Sequence, residues 1–214
     1  MILYGTALSS YTAKSRIALA LKGVPYRLLP PPGGYRSAEY RSIVPAGTIP
    51  ALVDGDLVLS ESEAINEYLE DRFPDPPLLP ADAAGRARQR QLSRLHDLRL
   101  EPPLRALFAE VAPATRDAAA VSRQAAAIAA ALDLVAAVTR PAPFLGGAAP
   151  GLADCAYPAT LFLIGRLLPL LGTPVDLPAA LAPWAAALAQ HPAVASVMAE
   201  TIPATEAWLA GKLP

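Results

Sequence analysis

The 214-residue chain has one cysteine, Cys155, and two histidines, His96 and His191. A single thiol excludes an intramolecular disulfide and a CxxC redox pair, and two distant histidines argue against a histidine-rich metal site. Charged residues make up 17% and sum to −1 with no basic run, which argues against nucleic acid as a partner. There is no glycine-rich phosphate loop, no dinucleotide-binding fingerprint and no HExxH helix. With those signatures missing, the reactive chemistry is expected to belong to a bound small molecule. The start of the chain, Met1-Ile2-Leu3-Tyr4-Gly5, has neither a basic region nor a long apolar stretch, so no signal peptide is expected. Asp133 interrupts one late apolar segment, and Arg166 and Pro169 interrupt another. Neither leaves the roughly 18–20 uninterrupted residues of a spanning helix, so a soluble, cytoplasmic protein without a membrane partner is expected.

Apolar residues make up 53% of the chain, enough for a sizeable core in one large domain or two small ones. The most informative stretch runs from Thr48-Ile49-Pro50-Ala51-Leu52-Val53 through Asp54-Gly55-Asp56 to Leu57-Val58-Leu59 and Ser60-Glu61-Ser62-Glu63. It reads as two strands joined at an Asp-Gly turn, followed by a helix. Ser60 with Glu63 three residues later fits a capping box. Glu61 and Ser62 then stand at a helix mouth, where exposed amides favour an anion.

Before this stretch, residues 1–5 read as a strand. Ser9 or Ser10 caps a helix through Lys22 that stops at Gly23, and Val24–Leu29 forms a second strand. A short helical piece lies near Ser37–Arg41, giving the order βαβαββα. Pro74-Asp75-Pro76-Pro77-Leu78-Leu79-Pro80 breaks the pattern, and the strand signal then fades. Domains are therefore expected at 1–75 and 83–214, with a linker at 76–82. The second domain should be all-α, with a long helix from Ala84 to Val111 kinked at Pro102-Pro103. Further helices are expected at 116–138 and 151–171, and near 178–189, 192–201 and 203–211.

This organisation is similar to that of the cytosolic glutathione transferases. The resemblance rests on Gly47-Thr48-Ile49-Pro50-Ala51-Leu52, on Leu59 through Leu69, and on Leu152-Ala153-Asp154. Ser9-Ser10 ahead of Arg16-Ile17-Ala18-Leu19-Ala20-Leu21-Lys22-Gly23 most resembles the zeta class, the maleylacetoacetate isomerase-like group. The resemblance implies an α/β thioredoxin-like N-terminal domain and a helical C-terminal domain that forms the electrophile pocket. It also implies glutathione as co-substrate, a homodimer, and a cis proline at Pro50. Ile49 and Pro50 would bind the cysteinyl part of glutathione, and Glu61 and Ser62 its γ-glutamyl end. Ser9, or its neighbour Ser10, would donate to the sulfur, with Tyr4 and Tyr11 as further hydroxyls. A free thiol ionises near pH 8.5, so stabilising the thiolate is the chemical task. Addition to a small electrophile, including a maleyl-type cis–trans isomerisation, is the implied reaction. A non-catalytic carrier or scaffold is the competing reading.

Several positions depart from the zeta pattern. Tyr11 stands where that class has a cysteine, which disfavours mixed-disulfide chemistry. Cys155 reads as a small buried hydrophobe. Thr48 stands where relatives often carry Lys or Gln for the glycyl end, and Tyr35, Arg36 or Arg41 are candidates to compensate. Gly151 replaces the usual Ser or Thr before Asp154, whose role is expected to be folding. Arg166 matches an arginine that would bind an acidic substrate, or it forms a structural ion pair. Asp97 reads either as a contact to the γ-glutamyl ammonium or as a surface charge, and His96 as a helix-face histidine.

Overall fold

The computed structural model describes residues 1–213. In chain order it forms β1 (Ile2–Tyr4), α1 (Ser10–Leu21), β2 (Arg27–Leu29), α2 (Ala38–Ile43), β3 (Ala51–Asp54), β4 (Leu57–Ser60) and α3 (Ser62–Arg72). The sheet order is β2-β1-β3-β4, with β1 parallel to β2 and both remaining pairings antiparallel. A parallel step needs a crossover, which α1 supplies; the antiparallel β3–β4 step needs only Gly55-Asp56. Gly55 has φ 60°, a conformation that glycine adopts without a Cβ penalty. Alternation along the strands divides the side chains. Leu3 and Leu52 pair across β1–β3 and join Ile17, Ile65 and Leu69 in the main core. Tyr4 and Ala51 face the other way, onto Tyr40 and Val44. This is the thioredoxin-like arrangement, here followed by a helical half.

That half comprises α4 (Ala83–Leu95), α5 (Glu101–Ala106), α6 (Ala118–Val138), α7 (Tyr157–Leu170), α8 (Ala182–Gln190) and α9 (Pro192–Ala210). The main core is continuous across the two halves, because α1 packs against both α7 and α9. The proline-rich connection is tied down at its ends. Lys22 Nζ donates to the carbonyls of Phe73 (2.6 Å) and Pro76 (3.0 Å) and pairs with Glu70. Glu70 in turn accepts from the amides of Leu78 and Leu79. Asp154, fully buried, accepts from the amides of Leu145, Gly146 and Gly151 and from the Trp184 indole, at 2.7–3.0 Å.

Three local expectations are corrected. The long helix widens into a π-helical turn at His96–Leu100, ahead of Pro102-Pro103, and continues as α5. The two prolines offer no N–H to the turn before them, and the Glu101 amide bonds back to the His96 carbonyl, five residues away. Residues 192–210 form one helix through Pro203 rather than two, because Val194, Val197, Met198, Thr201, Thr205 and Leu209 bury one continuous face. No capping box forms at Ser60 and Glu63. Ser60 remains in the β4 ladder opposite Ala51, while the Glu63 carboxylate is taken by Lys14 and Ser93. Helix α6 is, by length and a mean hydropathy of 1.5, apolar enough to cross a membrane, yet it packs Val121, Ile128, Leu132 and Val135 into the core.

Candidate active site

The expected site residues separate into those that meet in one cleft and those that do not. Ile49, Pro50, Glu61 and Ser62 line a cleft of about 590 Å³, together with Tyr11, Thr48, Glu63, Glu67, Arg94 and Asp97. Ile49–Pro50 is a cis bond that brings the loop before β3 against the start of α3. Glu61 stands at φ 73°, in the left-handed region that non-glycine residues rarely occupy, and its side chain caps no amide. Its carboxylate is exposed at the cleft and free to meet a cation. Ser62 opens α3, so the first-turn amides there lack helical acceptors and face the cleft as an anion site. Cationic and anionic recognition are thus adjacent, the pattern an amino-acid headgroup requires. The buried Thr48 hydroxyl has no hydrogen-bond partner among the described residues.

The serines stand slightly apart. Ser9 is the N-cap of α1, its Oγ accepting from the Thr12 amide at 3.2 Å. Ser10 is buried and lines a small cavity with Leu8, Phe108, Leu163 and Trp208. Its Oγ accepts from Arg105 Nη2 at 3.1 Å. A hydroxyl that accepts one bond still has its proton to donate, so both serines remain competent donors. Tyr4 is buried edge-on against Tyr40 and does not line the cleft. Tyr11 does. Arg166 pairs with Glu206 through two hydrogen bonds of 2.5 and 3.0 Å on the surface, outside the cleft.

Behind the cleft lies a charged network that local sequence patterns do not announce. Lys14, with no exposed side-chain surface, reaches Glu63 at 2.7 Å and both Asp97 oxygens at 2.9 and 3.0 Å. His96 Nδ1 meets Asp97 at 2.9 Å, and its Nε2 meets Thr160 at 2.8 Å. Thr160 donates to Glu101, which pairs with Arg105 at 2.9 Å. Burial works against the charge on Asp97, but the His96 hydrogen bond and the Lys14 charge overcome it and hold its pKa below the ordinary carboxylate value. Cys155 is fully buried, and burial pushes its thiol well above the usual range, which makes it inert.

The cleft lies where the helical half meets a thioredoxin-like sheet. The whole chain superposes on a maleyl pyruvate isomerase, described as a bacterial glutathione S-transferase of the zeta class, with a TM-score of 0.79 and 31% identity. The match covers 92% of this chain and 96% of that one. The chain belongs to the glutathione S-transferase family. Residues 3–77 match the family's N-terminal domain. Glutathione S-transferase Z2 of Arabidopsis thaliana is 47% identical over 88 residues, 40% of either chain. Maleylacetoacetate isomerase of Pseudomonas aeruginosa is 42% identical over 108 residues, 48% of this chain and 51% of its own length. The chain thus spans about half or less of these two curated relatives. The cleft residues Thr48, Ile49, Pro50, Glu61, Ser62 and Glu63 fall within the matched transferase domain. Asp97 and Arg94 come to the cleft from the helical half.

Proposed function

We propose that this transferase-family protein binds glutathione in the cleft, ionises its thiol, and adds it to a small electrophile. The observation that carries this is the meeting of Ile49, Pro50, Glu61 and Ser62 in one cleft, with carboxylate and helix-mouth amides adjacent. Ile49 and Pro50 present backbone to the cysteinyl segment. Glu61 meets the γ-glutamyl ammonium, and the α3 amides with Ser62 hold its carboxylate. Ser9, or its neighbour Ser10, at the mouth of α1, supplies a hydroxyl to the sulfur. Each unit of thiol pKa depression is worth about 1.4 kcal/mol of thiolate stabilisation. The cavity of Leu8, Phe108, Leu163 and Trp208 beside Ser10 takes the electrophile.

Similarity to maleylpyruvate and maleylacetoacetate isomerases supports a maleyl-type substrate. In that reaction the thiolate adds to a carbon of the double bond, the resulting single bond rotates, and elimination returns the thiolate. Glutathione is then regenerated. The experiment supplies a maleyl-keto acid with glutathione far below the substrate concentration. Isomerisation should run to completion with glutathione recovered; stoichiometric loss of thiol would indicate conjugation instead, and no reaction would remove the maleyl substrate. In the same assay Ser9→Ala is expected to lower kcat/KM while costing about 1 kcal/mol of stability through the lost cap.

The protein is further proposed to act as a cytoplasmic homodimer. Only a third of the apolar window of α6 is buried, and its Leu134 stands beside exposed Leu98 in a groove with Pro102, Pro103 and Ala127. An apolar face of this kind is suited to a second copy. Sedimentation of Leu134→Glu should show a shift toward monomer; an unchanged dimer would place the interface elsewhere.

A further inference from the structure

Tyr11 is the side chain of the first turn of α1 that lines the cleft, together with Pro50 and Ser62. It occupies the position where the zeta pattern has cysteine. Its ring is held on two sides. His96 stands edge-on at 6.3 Å between centroids, and the Arg105 guanidinium lies 4.4 Å from the ring centroid. Arg105 is itself anchored by Glu101, and Glu101 is tied through Thr160 to His96 and Asp97. The residues that hold Tyr11 are therefore fixed from three helices rather than left on a mobile side chain. Arg105 also donates to the Ser10 hydroxyl, so one guanidinium lies over the Tyr11 ring on the cleft side and bonds the hydroxyl on the cavity side. That places it at the junction between the proposed glutathione cleft and the proposed electrophile cavity.

We propose that the Tyr11 hydroxyl donates a hydrogen bond to the glutathione sulfur, with Arg105 as the residue that positions it. The inference rests on the reading of the cleft as a glutathione site. On ionisation the S–H bond breaks, its electron pair stays on sulfur, and the proton leaves to solvent. Tyr11 keeps its own proton. Burial, followed by the Glu101 charge, pushes its pKa up to about 12 against the opposing pull of Arg105, so the phenol is a donor and not a base at neutral pH. A neutral phenol beside a guanidinium stabilises an anion without taking its proton.

The test measures the pKa of the bound thiol by ultraviolet thiolate absorbance, with affinity for glutathione measured in parallel by calorimetry. Tyr11→Phe should bind glutathione within a few-fold of wild type, while the bound thiol pKa rises by about one unit and kcat/KM at pH 7 falls about tenfold. Arg105→Lys, which keeps the charge but loses the fork, should give a smaller rise in the same direction. Ser10→Ala, which leaves Tyr11 and Arg105 in place, should move the thiol pKa less than Tyr11→Phe does. A Tyr11→Phe protein that binds glutathione with an unchanged thiol pKa overturns the proposal and leaves the glutathione site standing. A larger shift at Ser10 than at Tyr11 also overturns it, moving the role to the serine. Absence of glutathione binding by the wild type removes the site and the proposal together.

Discussion

Replacing Lys14 with methionine is expected to lower the melting temperature by about 6–20 °C. The substitution keeps the volume and the buried stem but leaves the carboxylates of Glu63 and Asp97 without the cation that bridges them. Breaking one side of a buried ion pair costs about 3–5 kcal/mol, and each kcal/mol is worth about 2–4 °C in a protein of this size. The site is unusually committed. Lys14 comes from α1, Glu63 from α3 and Asp97 from the π-helical turn, so one ammonium joins the sheet half to the helical half. Asp97 has a lowered folded-state pKa, so the unfolded chain takes up its proton first. Its stabilising contribution is present above about pH 4 and is lost as pH falls through the folded value. The gap between wild type and Lys14→Met should therefore be widest at neutral pH and narrow on acidification. Differential scanning calorimetry from pH 7 down to pH 3 reads both effects. A gap under about 2 °C, or one that widens in acid, would show that the network contributes little.

Asp154→Ala should be more damaging still. Four donors converge on this carboxylate, three backbone amides from 145–151 and the indole of the buried Trp184. Each buried donor left unsatisfied costs about 1–3 kcal/mol, and no water has ready access to a residue with no exposed surface. The combined loss approaches the whole stability of a typical domain, about 5–15 kcal/mol, so the variant is expected mostly in the insoluble fraction. Asp154→Asn keeps one carbonyl acceptor and should recover part of the soluble yield, though its amide turns donors toward donors. Soluble Asp154→Ala with a near wild-type denaturation midpoint would mean that the loop at 145–151 is held by something other than this side chain.

Much of the frame is legible in local sequence because the signals there are local. Asp54-Gly55-Asp56 specifies a short turn between apolar runs, Ser9 caps α1 within three residues, and Pro74–Pro80 stops regular structure. The cleft lining is legible for a related reason: Ile49, Pro50, Glu61 and Ser62 lie within one hairpin and its following helix. What escapes a linear reading depends on residues far apart in the chain. Glu63 fits a capping box with Ser60, but a lysine from α1 outcompetes that short-range bond. Arg166 sits in an apolar run that suggests a buried partner, yet it turns outward to Glu206 on α9. Tyr11 meets the cleft residues at 48–50, 61–67 and 94–98 only in the folded chain, and it gains its guanidinium neighbour when Arg105 of α5 reaches the start of α1. Pro203 suggests a helix end until the buried faces on both sides of it are seen to be one stripe.

The most direct measurement is a titration of the wild-type protein with glutathione, recording heat and ultraviolet thiolate absorbance together between pH 5 and pH 9. A saturable site is expected whose bound thiol ionises well below the free value of about 8.5, so that most of the bound glutathione is thiolate at neutral pH. Saturable binding with a thiol that still ionises near 8.5 would contradict the catalytic reading, and the absence of binding would contradict the assignment of the cleft itself.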